Sequence, residues 1–451
     1  MNRWIVLILL SLAQFMLIVD ITVVQVALPT IGDRLTLDRE ALTWVVTTYT
    51  LCFGGLMVLG GRLADSFGSR RVLMTGLAVF TAASLLCGLA TGGVMLITGR
   101  ALQGVGAALM SPAALATITG VYHGEQRGKA LAVWAGIGGS GAAIGVLLGG
   151  LLTEGPGWNW AFFVNVPLGL FVFLALPRVA PATRGSGERV DLPGALLVTL
   201  ATAALIYGVV NAGDDGWGAP GTLLPLSGAV LGYVAFVLVE RRVRLPLMRA
   251  ETLARRPVLS GTFVMLLATG LMLGLFFAGS LYLQQERGYG ALATGLMFLP
   301  VAVAITVGAH LGASLLPRLG GRSVAAGAFA LTAIGAALMA QTTPGTSVWL
   351  TLLPGFTLAA IGIGPAFVTA TTTTMANVPH GEAGVASGVI NTFHELGGSI
   401  GVAVISTMVA GGFTGAFLLC AVAGAVAALV SLGLVPAGRP QGVSVGHGHG
   451  H

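Results

Sequence analysis

The stretch GGRLADSFGSRRVL, residues 60–73, decides how the rest of the chain is read. It crowds four charges, Arg62, Asp65, Arg70 and Arg71, into a 451-residue chain that is 8% charged and 55% hydrophobic. A soluble domain is roughly a quarter charged. On either side lie apolar runs close to the ~20 residues that cross a bilayer as a helix. The charges therefore mark a loop at a membrane surface, between two spanning helices. Mean hydropathy is +0.91, and the same alternation runs from one end to the other. The fold class is an all-α polytopic membrane protein with no sizeable soluble domain.

Working outward, the expected spans are 4–29, 41–61, 72–91, 94–121, 129–153, 160–177, 192–212, 220–239, 257–285, 291–316, 323–341, 347–375, 383–410 and 412–435, fourteen in all. The first follows only Met1, Asn2 and Arg3 and lacks a cleavage-type flank, so it reads as a retained helix. Fourteen spans place both termini on one side. That side carries eighteen of the basic residues, against Arg34, Arg39 and Arg287 opposite, with Arg100 inside a span. Basic residues collect in cytoplasmic loops, so both termini are expected in the cytoplasm and the chain in the cytoplasmic (inner) membrane. The net charge of +6 is spread over alternate loops rather than gathered on one face, which excludes a nucleic-acid surface. Cys52, Cys87 and Cys420 lie in apolar segments without zinc or redox spacing.

The opening loop has a weak echo in LGASLLPRLGGRSV, residues 311–324, after the tenth span. If the seventh and eighth helices are an insertion, the remainder is six plus six. Repeated halves around a central pathway are a transporter architecture. The expected divisions are an N-terminal six-helix bundle over 1–177, linkers with two inserted helices over 178–256, a C-terminal six-helix bundle over 257–436, and a cytoplasmic tail over 437–451.

Few strongly polar groups interrupt the spans: Asp20, Arg100, His310, His394 and Glu395. A charge at mid-helix costs roughly 2.5–3.5 kcal/mol on insertion scales, so each should face a cavity or a partner. Asp20 lies nine residues before Pro29, and Arg100 about six residues into a helix that starts outside. At ~1.5 Å per residue both are roughly 9–14 Å below the outer surface, a depth at which they can pair. Glu395, mid-span with no cation expected beside it, is a candidate proton carrier. The competing reading of both acids is a structural contact between helices. His310 reads as a hydrogen-bonded interior residue.

GIGGSG, residues 136–141, fits a nucleotide-binding fingerprint only as letters. That fingerprint needs a preceding strand and a soluble βαβ unit, and here it falls within a span. At helical spacing Gly141, Gly145 and Gly149 instead form a stripe that admits a close neighbour. There is no Walker A motif and Lys129 is the only lysine, so an ion gradient, and protons in particular, is the expected energy source. No cofactor is expected.

These stretches resemble the fourteen-helix drug:proton antiporter branch of the major facilitator superfamily. VDITVVQVALP (19–29) resembles its first-helix signature, GRLADSFGSRR (61–71) the superfamily loop motif, ITGRALQGVGAA (97–108) the fourth-helix motif, and GSGAAIGVLLGG (139–150) the fifth-helix antiporter motif. The resemblance implies two pseudo-symmetric six-helix bundles plus two extra helices. It implies a conformational latch of Gly61, Asp65, Gly68, Arg70 and Arg71 between the second and third helices. Asp20, Arg100, Glu395 and His394 would serve proton coupling or substrate recognition. Gln103 and Gly104 carry the fourth-helix motif, and Gly141, Gly145, Gly149 and Gly150 the packing and bending of the fifth. Five positions depart from the pattern: Gln25 for Asn, Val146 for Pro, Asn159 for Arg, and His394–Glu395 for Arg–Gln.

The expected function is proton-coupled export of amphipathic, cationic small molecules by alternating access. The partners would be substrate, protons and the lipid bilayer, and the chain a monomer. One alternative is a dedicated transporter of a single metabolite or endogenous antibiotic. Another, of a different class, is a membrane-embedded sensor. An enzyme is not expected, because no metal or nucleophile constellation is present. The three alternating histidines of GHGHGH (446–451) read as a tail rather than a metal site.

Overall fold

The computed structural model describes residues 3–437 apart from 182–184, 186, 188–190, 243–253, 344, 377, 379–381 and 410. Arg184, Arg189, Arg244, Arg249, Arg439 and the histidine tail lie outside the described residues. Within them every regular element is a helix, as it must be where no water can satisfy exposed backbone groups.

In chain order the helices are α1 (Arg3–Leu35), α2 (Arg39–Phe67), α3 (Ser69–Gly88), α4 (Gly93–Val121) and α5 (Gly124–Glu154). Next, α6 combines Trp160–Phe163 with Asn165–Val179, followed by α7 (Leu192–Asp215), α8 (Pro220–Glu240) and α9 (Arg256–Leu281), which ends in a π turn at Tyr282–Glu286. The long element Ala291–Met339 is two helices, α10 over 291–319 and α11 over 321–339, broken at Gly320. The last three are α12 (Leu352–Ala376), α13 (Ala383–Val409) and α14 (Phe413–Leu434). Eleven helices are long and apolar enough to cross a membrane, the undivided Ala293–Met339 among them. Dividing it at Gly320, and adding α5 and the polar-interrupted α13, gives fourteen helical segments among the described residues.

The internal repeat is visible as a shared device, one residue out of the register read from sequence. Gly68 (φ 93°) separates α2 from α3, and Gly320 (φ 78°) separates α10 from α11. Only glycine enters that region without steric cost. Two residues beyond each glycine an arginine ties the turn to the last helix of its own half. Arg70 donates to the Pro177 and Ala180 carbonyls at 2.9 and 3.0 Å, at the end of α6. Arg322 Nε donates to the Val435 carbonyl at 3.0 Å, past the end of α14. Cationic side chains suit these sites because helix C-terminal carbonyls are unpaired and lie at the negative pole of the helix.

The glycine stripe of α5 is its contact with α1. A Cβ at Gly141 would stand 3.0 Å from Ile18 Cγ2, one at Gly149 2.9 Å from Val26 Cβ, and one at Gly145 would overlap Thr22 Oγ1. Gly145→Leu is therefore expected to lower resistance to denaturant by about 1–3 kcal/mol, the usual cost of overpacking. Wild-type unfolding midpoints for that variant would show that the α1–α5 contact yields without strain.

The two helices expected as an insertion are α7 and α8. They pack on each other, and α7 also packs against both α2 and α13. Ile206 of α7 reaches Gly54 of α2, and Ser406 of α13 approaches Gly213 of α7. Thus α7 lines the seam between the halves. The outer helix α8 leaves Leu224 and Leu231 about seven-tenths exposed, the surface a lipid-facing helix presents.

Candidate functional site

Asp20 is fully buried on α1, and Arg100 of α4 is almost so, at 1% exposure. Arg100 Nη1 donates to Asp20 Oδ2 as a buried ion pair. Gln103 Nε2, one turn along α4, and Asn165 Nδ2 of α6 each donate to Asp20 Oδ1 at 2.9 Å. Gln103 also donates to Ser84 Oγ of α3 at 2.8 Å and accepts from Arg100 Nη1 at 2.9 Å. From α2, the Val45 carbonyl accepts from Arg100 Nε at 3.1 Å, and the Tyr49 ring lies under the guanidinium, 4.2 Å from its centroid. One carboxylate thus organises five helices of the first half. A buried ion pair holds only when its remaining donors and acceptors are also satisfied, and this shell supplies them. Gly104 lets α4 approach closely enough, since a Cβ there would stand 2.6 Å from the Tyr49 carbonyl oxygen.

Asn165 and Tyr49 complete the network without having been singled out as members from sequence. A buried asparagine in an otherwise apolar span was the available signal for Asn165. Tyr49 gave none, because an aromatic ring in a span reads equally well as packing.

A small cavity lies between the halves, walled by α1, α2, α4 and α5 on one side and α9, α12 and α13 on the other. Glu395 and His394 lie in its wall, and Asp20 and Arg100 do not. The four residues expected to act together are thus divided between a sealed pair and an open one. Glu395 is not without a basic neighbour, as expected from sequence: His394 Nδ1 is 3.3 Å from its Oε1, and the imidazole lies 5.9 Å from the Phe367 ring. Adjacent positions on one helix usually diverge, and the cavity lets both side chains turn to the same space. Phe53 and Phe367 line the cavity, whereas Phe276 belongs to an aromatic cluster with Phe298 and Phe356.

The latch differs from its expected form. Asp65 makes no ion pair with Arg70 or Arg71 across the α2–α3 turn. Its carboxylate crosses between the halves and accepts from the Gly384 and Val385 backbone N–H groups at 2.7 and 2.9 Å. The first N–H groups of a helix have no intrahelical partner and lie at its positive pole, so a carboxylate is better placed there than beside solvated arginines. Gly61 permits the approach, because a Cβ at this position would overlap the Gly384 carbonyl oxygen. On the same face Arg127 Nη2 donates to the Met375 carbonyl at 2.7 Å. Towards the opposite face Gly295 of α10 meets Leu147 of α5. Arg71 is exposed. His310 is not interior: it is exposed on α10, its Nδ1 donating to the Thr306 carbonyl at 2.9 Å.

Residues 10–402 match the Major Facilitator Superfamily. The chain is 42% identical to a puromycin resistance protein of Streptomyces alboniger over 92% of its own length and 84% of that protein. It is 33% identical to a multidrug resistance protein of Mycobacterium tuberculosis over 91% of its length and 77% of that protein. Among solved structures it resembles the human organic anion transporter MFSD10, with a TM-score of 0.68 at 15% identity over 96% of this chain and 100% of that one.

Proposed function

The chain belongs to the major facilitator superfamily, and from that premise we propose that it is a proton-coupled antiporter. It exports amphipathic cations across the cytoplasmic membrane, with both termini inside. As a member of that family it is a multi-pass membrane transporter of small molecules, not an enzyme. The observation that carries the proposal is the separation of two carboxylates by environment. Asp20 is sealed against Arg100, and Glu395 opens on the cavity between the halves.

In this reading Glu395 receives the substrate's positive charge. Asp20 and Arg100 register protonation for the halves, since a neutral Asp20 releases the guanidinium and loosens five helices together. Alternating access then opens one face at a time: the Asp65–α13 contact on the arginine-rich face and the α5–α10 contact opposite are both made in this structure, and each state of the cycle breaks one of them. Binding energy reaches the moving parts through elements with two discrete arrangements. The proton gradient supplies the energy, one charge through 100 mV being worth about 2.3 kcal/mol.

Proteoliposomes with a trapped pH-sensitive dye test this directly. Ethidium added under an imposed pH gradient is expected to trigger proton flux in the opposite sense. Ethidium movement without proton flux would exclude antiport. Glu395→Gln is expected to weaken ethidium binding about tenfold or more, the scale of losing a charge-assisted contact. Unchanged ethidium affinity in that variant would remove Glu395 from the cation site.

The relative named for resistance to one antibiotic favours a second reading, export of a single compound. Growth of cells expressing the protein on chemically unrelated toxic cations separates the two, because a dedicated exporter protects against one class only.

A further inference from the structure

Helix α7 touches both halves of the molecule, but its two contacts are built differently. Towards the first half it is keyed in place. The chain leading into it docks on the α2–α3 turn, where the Gly187 N–H donates to the Ser66 carbonyl at 3.1 Å and a Cβ at Gly185 would overlap the same oxygen. Further along, Ile206 fills the notch at Gly54, where a Cβ would overlap its Cδ1, and Ala203 lies against Gly55. Tyr207 stacks on Trp44 of α2, the ring centroids 6.1 Å apart and the planes 18° from parallel.

Towards the second half the contact is smooth. Gly213 faces Ala403 and Ser406 of α13. Ala195 and Val198 share an apolar cluster with Val385 and Val389 of α13 and Val58 of α2. Among the described residues no hydrogen bond joins α7 to α13. The Thr202 hydroxyl instead pairs with Tyr233 of α8 at 2.8 Å, and Gly208 meets Leu226 as Gly232 meets Ala201, so α8 is fastened to α7. Packed helices shear by small sliding movements. Small and aliphatic side chains without hydrogen bonds permit that; a knob in a glycine notch and a backbone hydrogen bond oppose it.

We infer that α7, with α8 on its outer side, is carried by the first half and slides along α13 as the halves rock. Its position says what it covers. At Gly54, where Ile206 is seated, a Cβ would also stand 3.6 Å from the Glu395 Cβ, so α7 backs the α2–α13 seam at the level of the cavity acid. The inserted pair is a sliding cover that keeps this seam closed to lipid while the cavity changes sides. The inference rests on the exporter reading only for the rocking of the halves.

Two disulfides test it. A Cβ at Gly55 would stand 3.4 Å from the Ala203 Cβ, and one at Gly213 3.6 Å from the Ala403 Cβ, close to the roughly 3.5–4.5 Å that a disulfide spans. In a Cys52→Ser background, the other two cysteines being buried, Gly55→Cys with Ala203→Cys ties α7 to the first half. Gly213→Cys with Ala403→Cys ties it to the second. Oxidation of the first pair is expected to leave ethidium-linked proton flux within about twofold of the same protein reduced. Oxidation of the second should lower it more than about tenfold, with recovery in dithiothreitol, because one arrangement of the halves is then fixed. Block by the first crosslink, or equal effects of the two, would overturn the inference.

Spin labels at the exposed residues Leu89 of the first half, Leu224 of α8 and Leu350 of the second half give a readout that needs neither a disulfide nor flux. Between acidic and alkaline pH, with ethidium present, the Leu89–Leu224 distance should hold and the Leu224–Leu350 distance should change. A shift in the first or constancy of the second would overturn the inference. The expected pattern in a protein that moves no protons would leave the inference standing and overturn the exporter reading.

Discussion

Asp20→Asn is expected to yield a protein that inserts, binds substrate and does not export. The side chain keeps its shape, so Gln103 and Asn165 retain an acceptor at 2.9 Å. What changes is the charge opposite Arg100, a guanidinium at 1% exposure whose only described ion-pair partner is Asp20. Removing one member of a buried pair costs roughly 3–5 kcal/mol, because the other is left uncompensated. A lower denaturation midpoint should accompany the loss of transport.

The decisive readout is a split between binding and turnover. Asp20 is outside the cavity wall, so ethidium affinity should stay within about twofold of wild type, less than one hydrogen bond is worth. Ethidium-linked proton flux should vanish. Asp20→Glu, which restores the charge on a longer stem, should recover part of the flux. Normal export by a well-expressed Asp20→Asn protein would remove Asp20 from coupling. A parallel collapse of affinity and flux would place it in substrate recognition.

Gly61→Val should be nearly as damaging, for a steric reason. At Gly61 the backbones of α2 and α13 come so close that an added Cβ overlaps the Gly384 carbonyl oxygen, and Gly384 meets Gly61 in return. A branched side chain cannot be absorbed where backbone is the obstacle. The halves should therefore be held apart on the arginine-rich face, breaking both Asp65 hydrogen bonds to α13. Spin labels at Phe67 and Glu382 should show the short-distance population replaced by a longer one, and export should stop.

Asp65→Asn should act on the same equilibrium more gently. It keeps an acceptor but loses the charge at the helix N-terminus, worth ~0.3–2 kcal/mol, or up to about thirtyfold in the closed population. An unaltered distance distribution and normal export in Gly61→Val would show that this contact is no part of the transport cycle.

Much of this was legible in the chain itself. Apolar length fixes where helices cross, because a backbone in hydrocarbon must satisfy itself and each residue advances by a constant rise. Depth is therefore readable, and it places Asp20 and Arg100 at one level. The glycines at 141, 145 and 149 marked a close neighbour for the same reason, since helical spacing is a property of one helix alone.

Rotation about each helix axis and the choice of partner are properties of two helices, and they are not written locally. His310 and Glu395 both interrupt apolar spans, yet one is exposed on α10 and the other opens on the cavity. Asp65 stands within six residues of three arginines in sequence, yet its carboxylate caps α13, more than three hundred residues away. The likeness between residues 60–73 and 311–324 pointed to a repeat. Only the positive φ of Gly68 and Gly320, with Arg70 and Arg322 reaching the last helix of each half, gave its register. The sequence by itself determined which segments cross the membrane and how deep each charge lies. The tertiary structure decided what each charge faces, because facing depends on how neighbouring helices are turned against one another.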